Sequence, residues 1–172
     1  MKKYFYVLFS ISLLISCDNF QKKSNTTITK EKSIAKYTII PQEINYNVAL
    51  DFANNYVSYM NDTIGKISVD DYVKQDELLS DNFKKRYKTI VDSAYKVESE
   101  VGLDFDPIID GQDFPDKGFK IKTIDKATGF VTLKGIDWED FELVLKVVNE
   151  NEKSLVDGSG IINIPTNKQV KR

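Results

Sequence analysis

Four aspartates, one glutamine, one glycine and two prolines crowd the twelve residues from Asp104 to Pro115 (DFDPIIDGQDFP). That composition excludes a regular helix or a central strand and predicts an ordered polar loop. Three kinds of chemistry are open to it. Asp104, Asp106, Asp110, Asp113 and the nearby Asp116 are hard oxygen donors, and calcium takes about six to eight of these. Their spacing is not that of a calcium loop with ligands at alternate positions, and Pro107-Ile108-Ile109 interrupts it. A carboxylate base beside a tyrosine is enough for isomerase-type proton transfer. The nine tyrosines supply such parts freely, but no spacing selects a set. The third reading is that the aspartates and Gln112 bond to the loop's own backbone groups, as Asx turns and helix caps do. The spacing favours this reading. Asp104, Asp106, Asp110, Gln112 and Asp113 are therefore expected to form a structural or binding loop, with no catalytic set, metal or cofactor.

Composition narrows the alternatives further. There is no histidine, which removes the commonest general base and the commonest transition-metal ligand. Cys17 is the only cysteine, so neither an intramolecular disulfide nor a thiolate zinc site can form. Residues 41–167 hold fourteen Lys or Arg against twenty-four Asp or Glu, a net charge of −10. An acidic domain repels phosphate backbones, so no nucleic-acid partner is expected. The 172 residues suit one domain with a real core better than two.

The loop divides the elements that must position it. Before it, Ala49, Phe52, Ala53, Tyr56, Val57 and Met60 recur at helical spacing and predict a helix over about 45–61, capped by Asn45 or Asn47. Ser68-Val69-Asp70-Asp71 starts a short helix reaching about Lys74. A longer helix is predicted from Ser80 or Asp81 to Val101, its apolar face formed by Phe83, Tyr87, Ile90, Val91, Ala94, Val97 and Val101, with Gly102 as the left-handed stop. Tyr56, Tyr59, Tyr87 and Tyr95 read as rings that pack helices onto a sheet. Lys84-Lys85-Arg86 reads as a solvated face. After the loop the period changes to two, giving strands over about 119–123 and 130–135, a long one over 138–148, and a last one over 154–164, where Gly158 and Gly160 suggest a bulge or bend. Three helices against four antiparallel strands make an α+β two-layer plan.

The amino-terminal end carries a second chemistry. Met1-Lys2-Lys3 is basic and Tyr4–Ile15 is a short apolar run, the proportions of a secretion signal and not of a bilayer span. Leu14-Ile15-Ser16-Cys17 resembles the lipobox of bacterial lipoproteins. The resemblance implies cleavage of the signal 1–16 and lipidation of Cys17 through its sulfur, anchoring the chain to a bacterial membrane. Several acyl chains on one residue anchor durably, since each buried methylene contributes about 0.8 kcal/mol. Asp18 to Lys36 is polar and without apolar periodicity, a solvated linker. The expected plan is signal 1–16, lipidated cysteine and linker 17–40, domain 41–167 and basic tail 168–172.

Leu103-Asp104-Phe105-Asp106-Pro107, Gly111-Gln112-Asp113 and Asp157-Gly158-Ser159-Gly160-Ile161-Ile162-Asn163-Ile164-Pro165 carry a further resemblance. In them the chain is similar to bacterial envelope proteins grouped as domain of unknown function 3828, within the nuclear-transport-factor-2-like (cystatin-like) superfamily. The resemblance implies a cone formed by a curved four-stranded antiparallel sheet with helices packed on it. That fold hosts isomerases, dehydratases and non-enzymatic binding modules alike. The resulting expectation is an envelope-anchored, non-catalytic module that binds a protein partner or a small ligand. The alternative is a small isomerase or dehydratase using a carboxylate in the cone.

Overall fold

The computed structural model describes residues 43–171, so Cys17, the signal and the linker lie outside the described residues. Three helices precede four strands: α1 (Asn47–Asn61), α2 (Val69–Gln75), α3 (Asp81–Val97), β1 (Phe119–Asp125), β2 (Phe130–Gly135), β3 (Glu142–Glu150) and β4 (Lys153–Ser159). The strands form one antiparallel sheet in sequence order, β1-β2-β3-β4. The register slips between Ile121 and Thr123 in β1, and between Lys146 and Val147 in β3. Such bulges bend a strand and raise its twist.

One face of the sheet is apolar because the two-residue period holds. Val131 and Leu133 of β2, Leu143, Leu145 and Val147 of β3 and Val156 of β4 are all buried. Val48, Ala49, Phe52, Ala53, Tyr56 and Val57 of α1 are buried with them, and α1 packs against β1, β3 and β4. Phe83 is fully buried and meets Phe52 edge-on, the ring centroids 5.9 Å apart. Ser80 caps α3 by accepting the Phe83 amide at 3.0 Å, and its own hydroxyl donates to Asp157 of β4 at 2.6 Å. The start of α3 is thereby fixed to the sheet. Backbone bonds from Ser80 N to Val156 O and from Val156 N to Leu78 O cover part of the β4 edge.

Several boundaries differ from the sequence expectation, β1 and β3 each running two residues further, to Asp125 and Glu150. The residue preceding α1 is Tyr46, which contributes no side-chain cap; Asn45 instead accepts the Asn47 amide at 3.1 Å. Helix α3 ends at Val97, four residues early, because Glu98 turns extended. Val97 is 90% exposed and Val101 56%, so the apolar face read from periodicity continues past the layer it could bury against. Strand β3 begins at Glu142. Trp138 lies in the preceding turn, where the Phe141 amide donates to Trp138 O and the Gly135 amide to Phe141 O. Strand β4 stops at Ser159 because Gly160 takes a positive φ of 58° and reverses the chain, yet Ile162 and Ile164 beyond it remain buried. Part of the basic tail is packed: Gln169 donates to Ile164 O at 3.0 Å, and Lys168 stands over the Phe130 ring.

Candidate functional site

The loop from Asp104 to Pro115 is organised by one side chain. Asp106 Oδ1 accepts the amides of Ile108 at 2.7 Å and Ile109 at 3.3 Å, while Oδ2 accepts the Tyr56 hydroxyl at 2.6 Å. The Asp106 backbone closes the same turn, its amide donating to Gly111 O and its carbonyl accepting from Asp110 N. Proline at 107 has no amide to satisfy. The carboxylate therefore meets the next two amides, and the turn drives Ile108 and Ile109 into the core, at 0% and 1% exposure. The far end of the sheet completes the lock. Ser159 Oγ donates to Ile108 O at 2.8 Å, and the Ile161 amide donates to Pro107 O at 3.1 Å. A Cβ on Gly160 would stand 2.5 Å from Pro107 O and 2.7 Å from Ile108 O, so this contact requires glycine.

The other loop residues go elsewhere. Asp110 takes a left-handed φ of 57° inside the turn. Gln112 donates to Asp104 O at 3.2 Å and is exposed, as are Asp104 and Asp113. Asp110 and Asp113 line a groove of about 610 Å³ together with Asp140, Trp138, Phe141 and Lys171. Asp116 uses its carbonyl to accept from Asn61. Among the described residues no group of three or more His, Cys, Asp or Glu side chains could hold a metal ion.

Asp106 instead faces a cleft of about 470 Å³ between α1, α3, the start of α2 and the loop. Its polar residues are Tyr56, Ser68, Asp70, Tyr87, Tyr95 and Asp106; Met60, Val69, Val91, Leu103, Phe105 and Pro107 are the apolar ones. Tyr87 donates to Asp70 Oδ1 at 2.9 Å, so the cleft holds two tyrosine-carboxylate pairs. A larger groove of about 680 Å³ adjoins across Asp70, Tyr87 and Val91, but lysine side chains of α2 and α3 form much of its wall. The cleft is the better-built site because its floor is fixed by a set of part-buried hydrogen bonds.

Burial dominates its electrostatics. It raises the Asp106 pKa above the usual carboxylate range, against the Tyr56 hydroxyl, the two loop amides and Lys66, which pull the other way. Burial also raises the Tyr56 pKa well above that of a free phenol, and the neighbouring Asp106 adds to it. Tyr87 moves in the same direction through burial and its bond to Asp70, with a further push from Asp106. Both phenols stay protonated at neutral pH and act as fixed donors. Behind them Tyr72 stacks on Tyr59 with centroids 4.3 Å apart, and Tyr56 lies 5.5 Å from Tyr72.

Of the five loop residues singled out from sequence, the structure brings only Asp106 into this cleft. Asp70 and Tyr87 as a pair were not legible, since they sit seventeen residues apart on two helices, and neither spacing nor composition joins them. Tyr95 does not pack against the sheet as its spacing suggested; it is 52% exposed, with its ring against Gly102. No family model, curated protein or solved structure matches the chain.

Proposed function

We propose that the protein is an envelope-anchored, non-catalytic binding module, tethered through lipidated Cys17 and holding its ligand or partner at the cleft beside Asp106. The observation that carries this reading is how fully the cleft's polar chemistry is committed. Asp106 accepts three hydrogen bonds from its own chain, and Tyr56 and Tyr87 each donate to a carboxylate. A general base must reach the proton it removes, within hydrogen-bond distance or through one water. Taking up a substrate proton would disturb this set of bonds, whereas a ligand's donor can share the one acceptor position that Oδ2 keeps. Around these fixed groups lie apolar and aromatic walls of a size that small-molecule sites have. The three-helix, four-strand order and the two sheet bulges are compatible with a nuclear-transport-factor-2-like cone, and the domain-of-unknown-function-3828 kinship rests on the sequence motifs.

Capture from the native envelope tests the reading. Wild-type chain should retain a partner or small molecule that a Tyr95→Lys variant of equal melting temperature loses, and Cys17→Ser should release the protein from membranes. An unchanged set of co-purifying molecules in Tyr95→Lys would sink the cleft as the site. Retention of Cys17→Ser on membranes after a high-salt wash would sink the lipid tether. One observation favours the isomerase or dehydratase alternative: a part-buried carboxylate of raised pKa sits 2.6 Å from a phenol. On that reading Asp106→Asn abolishes turnover of a substrate that the variant still binds.

A further inference from the structure

The lining of the cleft has an uneven charge. It contains two carboxylates, Asp70 and Asp106, and no lysine or arginine. Each carboxylate is held by a phenol, and a phenol donor stabilises an anion without neutralising it. Tyr87 bonds to Asp70 and lines the same cleft as Asp106, so both carboxylates border the space this ring borders. The chain's own nearby cation, Lys66, does not line the cleft. It sits 4.7 Å from the centroid of the Tyr59 ring, which is not part of the cleft lining, and donates to Met60 O at 3.3 Å. The remaining walls, including Val91, Leu103 and Phe105, are apolar. Asp70 is exposed and also borders the lysine-walled groove, but within the cleft the negative charge meets no lining cation, so a cation is favoured there and a free anion disfavoured.

We infer that the cleft binds a small primary amine with an apolar body, its ammonium directed to Asp70 and Asp106 and its body against the wall of Val91, Leu103 and Phe105. The inference rests on the binding-module reading and gives that module a ligand class. Cation-to-ring attraction from Tyr87 and Tyr95 adds to the carboxylate contacts.

The test is calorimetric titration of the full chain in detergent micelles at neutral pH, corrected for partition into empty micelles. The three probes are 2-phenylethylammonium, 2-phenylethanol and 3-phenylpropanoate, alike in body and different in charge. The ammonium should bind at least tenfold more tightly than the alcohol, and the carboxylate weakest of all. Asp70→Asn, whose side-chain oxygen can still accept from Tyr87, should lower ammonium affinity about fivefold or more and leave the alcohol unchanged. Equal binding of ammonium and alcohol, no binding of any probe, or insensitivity to Asp70→Asn would each overturn the inference. If envelope capture is still lost in Tyr95→Lys after such a result, the module stands with a different ligand. If amine selectivity holds while capture is unaffected, the amine site stands and the partner-binding surface lies elsewhere.

Discussion

Removing the Asp106 carboxylate tests the centre of the structure. In Asp106→Ala three donors lose their acceptor together: the Ile108 amide at 2.7 Å, the Ile109 amide at 3.3 Å and the Tyr56 hydroxyl at 2.6 Å. Each buried donor left unpaired costs about 1 to 3 kcal/mol. The longer Ile109 contact is the weakest of the three, and Asp106 is partly exposed, so water can reach part of the gap. The expected loss is about 2 to 4 kcal/mol, read as a fall in the urea midpoint at constant slope. Asp106→Asn should cost less, because an amide oxygen can accept the loop amides and a tyrosine hydroxyl can accept from an amide nitrogen. The pH dependence has a definite sign. A carboxyl whose pKa is raised in the folded state binds more protons folded than unfolded, so its contribution is greatest below the unfolded pKa and declines as pH rises through the folded one. The stability of wild type relative to Asp106→Asn should therefore increase as pH falls from 7 toward 4. Added calcium should leave the melting temperature unchanged. A loss below about 1 kcal/mol in Asp106→Ala, or a pH trend of opposite sign, would refute the reasoning.

Other perturbations probe the packing around this point. Gly160→Ala should cost about 2 to 4 kcal/mol, combining left-handed strain with backbone collision at Pro107 and Ile108. Gly65→Ala has a similar φ of 68° and open space around it, so strain alone should limit its cost to about 1 to 2 kcal/mol; equal losses by urea melt would show that the Gly160 contact is not rigid. Phe83→Ala and Leu143→Ala, both in the core, should each lose about 2 to 5 kcal/mol in the same measurement. Val97→Lys should stay within about 0.5 kcal/mol of wild type, and a larger loss would mean that the end of α3 is buried in solution.

Periodicity in this sequence reports local geometry faithfully and tertiary reach less well. It places α1 and β2 almost to the residue because their apolar faces end where the layer ends. The same rule overextends α3, whose apolar positions continue through Val97 and Val101 although only Phe83 and Tyr87 are buried. It also overextends β3 toward Trp138 and β4 toward Ile164. There, turns keep some of the apolar alternation after the ladder has ended: Phe141 is buried ahead of β3, and Ile162 and Ile164 are buried after Gly160. Burial and strand membership separate at such places, because a side chain can fill the core from any backbone that passes over it.

The site was legible in a different way. A run of Asp, Gly and Pro identifies a loop that must satisfy its own backbone, but it does not single out Asp106 among the four aspartates; only the fold shows that the residue before Pro107 has its side chain next to the amides of 108 and 109. That much is local chemistry. What the anchor does for the remainder of the fold depends on Tyr56, fifty residues earlier, and on Ser159 and Gly160, some fifty later. Neither contact has a sequence signature. The same long-range closure that makes Asp106 a brace also brings it beside Tyr87 and Asp70 at an apolar cleft. A brace buried away from solvent would contribute stability alone. Asp106 holds the loop with one oxygen and Tyr56 with the other while lining a cleft that solvent can enter. Any ligand that meets it encounters an anion already fixed in position, so the ordering cost that a mobile carboxylate would incur on binding is met when the chain folds.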